Sequence, residues 1–356
     1  REEHPEVDAT YLAAASAFFE RTLRMPEGQA ALAYLRGRGL ADETIAQFRL
    51  GYAPDSRGSL KAALIREGFT EERLIEAGLL IKPDEGSPYD RFRGRVMFPI
   101  QDRRDRVIAF GGRVLGDGEP KYLNSPETPL FRKGFTLYGL SHALPAARAE
   151  TTLVVVEGYM DVIALHQAGI RNAVAPLGTA LTEDQIRLLW RVAPEPVLCF
   201  DGDAAGQRAA LRAVVRALPL LKPGYSLRFA FIPAGEDPDS MVRRQGADAM
   251  RKMLGQPLAL SETLWLFETE AGGSGVATPE ARAALEDRLR RHTQQIEDPS
   301  VRTHFQQAFR DRLWREFRGA RGPAFQNERG RPGRAGAAPG SLAEPGIAVR
   351  AALAAG

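Results

Sequence analysis

The chain has 356 residues, 44% hydrophobic and 26% charged, with a formal charge of +3 and a pI near 9.1; this gives room for roughly two or three domains and admits a polyanionic partner without demanding one. No apolar stretch is long enough to span a membrane, no signal-peptide pattern is present, and a lone cysteine, Cys199, excludes an internal disulfide and a multi-cysteine zinc site. Cys199 is expected as a small core residue in a reducing cytoplasm, and Arg1 in place of a methionine suggests a fragment or processed product.

From the N-terminus, DATYLAAASAFFERTL and GQAALAYLRGRG carry helical spacing. GRVMFPIQDRRDRVIAFGGRVL reads as two antiparallel strands joined by a polar turn, so residues 1–148 are expected to form an α+β subdomain with its junction near Pro145. Residues 91–133 hold ten Lys/Arg against five Asp/Glu, interleaved with Phe92, Phe110, Tyr122 and Phe131. Cations for phosphates, aromatics for bases and an amide such as Asn124 for positioning suit a polyanion. A solvated strand face with alternating arginines accounts for the same strip equally well.

Residues 149–246 alternate in type. TTLVVVEG reads as a buried strand, YMDVIALHQAG as a helix closed by Gly169, NAVAPLG as a strand, and TEDQIRLLWRV as a helix with a Thr182/Gln185 capping box. PVLCFDGD, AGQRAALRAVVRALPLL, SLRFAFIP and DPDSMVRRQG continue as strand, helix, strand, helix. This alternation predicts parallel β–α–β units in a doubly wound sheet with helices on both faces. Residues 247–318 read as a small helical bundle: QPLALSETLWLFETE, a helix capped by Thr278 with Pro279 at its first position, and a last helix over 299–317. A loop is expected over 270–279, and residues 319–356, rich in Gly, Ala, Pro and Arg, are expected as a flexible linker or tail.

In an open parallel sheet the ligand crevice lies beyond the carboxyl ends of the strands. Glu157 follows the first expected strand, Asp201 and Asp203 the third, and Glu236, Asp237 and Asp239 the fourth. Asp161 is expected one helical turn beyond Glu157, on the same face. Any one of these acids can be read as an ordinary helix cap. Three clusters converging on one edge repel each other unless neutralised, and oxygen-only ligation suits Mg²⁺ or Mn²⁺. Gly158, Gly202 and Gly206 keep the rim low for a phosphate. An acidic metal site beside a basic groove suits an enzyme acting on nucleotides and nucleic acid.

Through VVVEGYMDVIAL, CFDGDAAG and GEDPDSMV the middle of the chain resembles the Toprim fold shared with topoisomerases and some nucleases. The stretch RFRGRVMFPIQDRRDRVIAFGGRVLGDGEPKYLNSPETPLFRKGFTLYG is more specific. With RTHFQQAFRDRLWREF, it makes residues 10–317 resemble the RNA polymerase core of bacterial DnaG-type primases. The resemblance implies an α/β fold: a Toprim-type parallel sheet with helices on both faces, preceded by an α+β subdomain and followed by a small helical bundle. It implies a catalytic centre of Glu157, Asp201 and Asp203, with Asp161, Asp237 and Asp239 completing an acidic set for Mg²⁺ or Mn²⁺, two ions. Glu157 can be a ligand or a general base. Arg113, Lys121 and Lys133 match positions that contact nucleotide or template, Tyr122 and Asn124 lie in the same motif, and Arg38 matches a further basic position.

The implied activity is synthesis of short RNA primers from ribonucleoside triphosphates on single-stranded DNA, leaving an RNA–DNA hybrid. The implied setting is a monomer at the replication fork in the bacterial cytoplasm. The family's zinc-binding domain and the domain that docks the replicative helicase are not expected in this chain, and neither is zinc. Two rival readings remain. One is DNA strand cleavage by a Toprim topoisomerase or nuclease, although Tyr159 and Tyr122 sit in no recognised nucleophile pattern. The other is a non-catalytic single-stranded DNA-binding module.

Overall fold

The computed structural model describes residues 5–178, 180–271 and 278–318. Helix α1 (Pro5–Leu23) is followed by α2 (Gln29–Gly37), α3 (Asp42–Gln47), strand β1 (Gly51–Ala53), α4 (Ser59–Arg66), α5 (Glu71–Glu76) and a small hairpin of β2 (Leu80–Ile81) and β3 (Tyr89–Asp90). The expected antiparallel pair is β4 (Arg95–Gln101) with β5 (Val107–Val114), Met97 opposite Gly112. Their turn is held by Asp102, whose Oδ1 accepts from the N–H groups of Arg104 (2.8 Å) and Arg106 (3.1 Å). β1 and β6 (Tyr122–Asn124) extend this pair to a four-stranded sheet, ordered β1-β4-β5-β6. Strands of three residues carry no readable alternation, so the sequence showed only the central pair.

Helix α6 (Leu140–Glu150) runs straight through the expected junction at Pro145. Its Ala143 and Ala147 pack into the core of the second sheet, so no linker separates the halves there. That sheet holds β7 (Val154–Val155), β8 (Ala173–Val174), β9 (Val197–Phe200) and β10 (Arg228–Phe231), parallel in the order β8-β7-β9-β10. The intervening helices are α7 (Tyr159–Gln167), α8 (Glu183–Trp190) and α9 (Ala204–Ala217), and α10 (Pro238–Gln245) and α11 (Ala247–Leu254) follow β10. The Thr182/Gln185 capping box forms, with Gln185 N–H donating to Thr182 Oγ1 at 3.1 Å and Thr182 N–H to Gln185 Oε1 at 3.0 Å.

Alternation along these short strands sorts side chains between two cores. Val154, Val156 and Cys199 face a core with Ile163 of α7, Met241 of α10 and Met250 of α11. Val155, Leu198 and Phe229 face the other, with Ile186 of α8 and Val214 of α9. Helices therefore cover both faces, as the alternating pattern predicts. The first core also contains Leu35, Phe98 and Ile100, so the N-terminal half and one face of the second sheet share a single interior.

The segment read as wholly helical after residue 250 begins instead with β11 (Leu258–Ala259), an antiparallel edge strand on β10. It leads into α12 (Leu260–Ala271); α13 (Pro279–Gln294) and α14 (Pro299–Arg318) complete the helical part. Thr278 caps α13, accepting from Ala281 N–H at 3.2 Å. Trp265 of α12 stacks on Phe309 of α14, ring centres 6.4 Å apart. Residues 272–277 of the expected loop and the expected tail over 319–356 lie outside the described residues. Among the described residues no helix is long and apolar enough to cross a membrane.

Candidate active site

The chain passes from β7 to β8 on one side and from β8 to β9 on the other, so the sheet changes direction between β7 and β9. Ligands of open α/β sheets bind at this switch point, beyond the carboxyl ends of the strands. Glu157 follows β7 and Asp201 follows β9, and the Asp201 N–H donates to Glu157 Oε1 at 3.3 Å. The chain then turns at Gly202, where a Cβ would stand 2.1 Å from the Ile232 carbonyl oxygen. Only glycine lets the loop after β9 lie against the loop after β10.

Asp203 and Asp237 are helix caps. Asp203 Oδ1 accepts from Gly206 N–H at 2.7 Å, and Asp237 Oδ1 from Ser240 N–H at 2.6 Å. The cap leaves each carboxylate a second oxygen, so capping and cation binding are compatible. Asp161 belongs to the first turn of α7, its Oδ2 accepting from Gly158 N–H at 3.1 Å. Because α7 starts at Tyr159, Glu157 precedes the helix and does not share a helical face with Asp161, contrary to expectation.

These acids act on one another. Burial, reinforced by Glu157, Asp237 and Asp203, pushes the Asp201 pKa up to about 7. Burial with Asp201 and Asp237 nearby holds Asp161 well above the ordinary carboxylate range. Partial desolvation and the charge of Asp203 raise Glu157, opposed by the Asp201 N–H and the Arg212 guanidinium. Asp201 Oδ1 and Glu236 Oε2 are buried without a hydrogen-bond partner. An orphaned carboxylate oxygen among like charges fits a hard cation. Among the described residues, however, no three acids, histidines or cysteines stand at the spacing of one ion's ligand shell. Closing of these carboxylates around one ion therefore requires side-chain rotation.

Asp239 departs from this set. It is 0% exposed; Arg38 donates to its Oδ2 through Nε (3.1 Å) and Nη2, and Arg243 Nε donates to its Oδ1 (3.0 Å). Both oxygens pair with guanidinium groups, so the contacts of Asp239 in this structure are to arginines and not to the other acids.

Facing the acids is a basic and aromatic wall. The Arg113 guanidinium lies 4.4 Å from the Tyr34 ring centre and 6.0 Å from that of Tyr122, its cross-strand partner, and its Nε is buried without a partner. Arg38 interacts electrostatically with Tyr34 and Asp237, and Tyr122 with Asp161, which brings wall and crevice together. Lys121 is exposed beside Tyr122. Lys133 is fixed through its backbone: its N–H donates to Glu127 Oε1 (3.2 Å), and its carbonyl accepts from Gln185 Nε2 (3.0 Å).

Asn124 is engaged within the fold. Its Oδ1 accepts from the Tyr159 hydroxyl at 2.6 Å, and its Nδ2 donates to the Leu177 carbonyl at 3.0 Å, so its amide joins the two sheets. The basic strip divides in the same way. Arg95 is buried on the carbonyls of Gly112 and Pro120, and Arg106 pairs with Asp102 at 2.8 Å. Sequence reasoning missed Tyr34 and Arg212. Tyr34 lies in an ordinary helical pattern, and the i, i+4 spacing of Arg208 and Arg212 on α9 was the available signal for the second.

Fold and site together define a Toprim-domain protein. Residues 151–230 match the family described as Toprim domain, and residues 18–144 match the family described as DNA primase catalytic core, N-terminal domain. The chain belongs to the DnaG-type DNA primase catalytic cores. It is 53% identical over 253 residues to a DNA primase of Pseudomonas aeruginosa, covering 70% of this chain and 38% of that protein. It is 44% identical over 296 residues to the DNA primase of Escherichia coli K12, covering 83% and 51%. The chain thus spans 38% and 51% of the length of these curated relatives. A crystal structure of a Pseudomonas aeruginosa DNA primase domain superposes with a TM-score of 0.79 at 45% identity, covering 86% of this chain and 95% of that one. A DnaG primase catalytic domain bound to ssDNA gives 0.76 at 43%, covering 86% and 98%.

Proposed function

We propose that this chain synthesises short RNA primers from ribonucleoside triphosphates on a single-stranded DNA template. The observation that carries the reading is the acidic crevice at the switch point facing the wall of Arg38, Tyr34, Arg113 and Tyr122, in a chain of primase family. Glu157, Asp201, Asp203 and Asp237 would hold two Mg²⁺ or Mn²⁺ ions, which supply charge neutralisation at the triphosphate and acidify the attacking 3′-hydroxyl. In-line phosphoryl transfer needs little covalent help, so the protein's work is positioning. Arg113 and Arg38 hold phosphate oxygens, Tyr122 offers a ring to a base, and Lys121 and Lys133 add charge along the nucleic acid.

In this reading residues 1–148 bind template and nucleotide, and residues 149–246 hold the acids. Residues 247–318 buttress the far edge of the second sheet. The chain acts as a monomer at the replication fork in the bacterial cytoplasm; helicase docking belongs to a separate domain of the family. The strand-cleaving alternative is not favoured in a chain of the primase family, and of its two candidate tyrosines Tyr159 is 5% exposed with its hydroxyl bound to Asn124.

The test is primer synthesis on single-stranded DNA with labelled ribonucleotides and Mn²⁺, comparing the chain with Asp201→Ala. Short RNA that is lost with Asp201→Ala is the expected result. Equal RNA from both proteins would refute the placement of the centre, and nucleotide-independent cutting of the DNA would refute the reaction.

A further inference from the structure

Asp239 is the acid of the GEDPD segment that the crevice does not use. Both Asp239 oxygens accept from guanidinium groups in a fully buried setting. Two guanidinium charges already face this one carboxylate and oppose the approach of a further cation. Arg38 differs from its partner, with a side chain that is 28% exposed. Asp239 takes its Nε and Nη2; among the described residues Nη1 has no hydrogen-bond partner, and the charge lies close enough to Asp237 to be felt there. One edge of the guanidinium is thus fixed, and the other carries free donors beside the crevice, the arrangement that suits a phosphate oxygen.

We infer that Asp239 is a positioning residue: it holds Arg38, 201 residues away in sequence, with its free edge toward the triphosphate of the incoming nucleotide. The inference rests on the proposed nucleotidyl transfer for its ligand. A purely structural role for the pair is already covered by another residue. Gln167 of α7 clamps the Arg38 loop independently, donating to the Gly39 carbonyl (2.8 Å) and accepting from Ala41 N–H (2.8 Å). The loop is therefore docked without Asp239, which leaves the orientation of the guanidinium as what Asp239 adds. Asp239 also donates its backbone N–H to Asp161, so the pair is built into the rim of the acidic set.

The test compares wild type, Asp239→Asn, Arg38→Ala and the double variant. Mn²⁺ binding is followed by electron paramagnetic resonance, and binding of a fluorescent ribonucleoside triphosphate is measured with Mn²⁺ present. KM and kcat for primer synthesis are measured alongside. Mn²⁺ affinity should stay within about twofold of wild type, while nucleotide Kd and KM rise about tenfold in each single variant, the loss of one charge-assisted contact. The double variant should lose no more than either single one. A roughly tenfold loss of Mn²⁺ affinity in Asp239→Asn would make it a ligand, and additive losses near a hundredfold would separate it from Arg38; either result overturns the inference. Should Asp239→Asn lose its cooperative melt, Arg38→Lys decides, because it keeps the charge and loses the fork: wild-type nucleotide affinity there overturns the inference, and weakened affinity with intact Mn²⁺ binding supports it. An inactive wild-type protein would sink the primase reading instead, while the binding comparison would still stand.

Discussion

Burial and the charges of Glu157, Asp237 and Asp203 push the Asp201 pKa up to about 7. The folded state binds the Asp201 proton more tightly than the unfolded chain, whose carboxyl titrates near pH ~4. The stability contributed by the group is therefore complete below about pH 4 and is lost as pH rises through about 7. Without metal, Asp201→Asn should be more stable than wild type at pH 8 by about 1–2 kcal/mol, after allowance for solvent relaxation, and no more stable at pH 4. Urea titrations at the two pH values check this; a variant destabilised at pH 8 would contradict it. At this scale the sequence shows which acids follow the strands and not what each one touches. D-x-D and D-P-D look alike as text, yet Asp203 and Asp237 cap helices while Asp239 lies between two arginines. Arg38 and Asp239 meet only through tertiary folding, and no local pattern announces the pair.

Elements were legible where a longer pattern surrounded them. The long helices and the β4–β5 pair show a period, and the two-residue strands β7 and β8 sit in apolar runs between helices, whereas β1, β6 and β11, of three, three and two residues, have no such setting. Such strands exist because neighbours complete them. β6 is held by Asn124 and by the ring of Tyr159, which stacks on Phe98 with centres 5.2 Å apart. That ring fits because β5 carries Gly111, where a Cβ would stand 2.6 Å from it. Gly111→Val should displace Tyr159 and cost roughly 1–3 kcal/mol, the range for overpacking a dense core. Thermal denaturation checks the loss, and a variant that melts with wild type would mean the ring has room to retreat.

Across the whole molecule the notable feature is the common interior. Leu35 and Phe98 from the N-terminal half share a cluster with Val156 and Ile163 of the second sheet, and α6 crosses the expected boundary without a linker. Composition gives no sign of this, because a residue buried against another domain looks the same in sequence as one buried within its own. The junction also holds His166, bonded to Gln47 at 3.0 Å, 5.0 Å from the Phe48 ring centre and 5.9 Å from that of His142. Burial, helped by His142 and Arg171, lowers its pKa to about 4. A depressed histidine contributes stability that is present above its unfolded value of about 6.5 and is lost as pH falls toward the folded one. The melting temperature should therefore drop between pH 6.5 and about 4, and drop less in His166→Gln. Calorimetry across that window decides it; equal losses in both proteins would place the acid sensitivity elsewhere.

Two halves that share one interior cannot swing apart like jaws, because a packed core resists gradual deformation. The acidic crevice and the basic wall then form a notch of fixed width. Acids and wall are held at one separation by the fold, like marks on a gauge, and only the side chains at the rim are left to adjust.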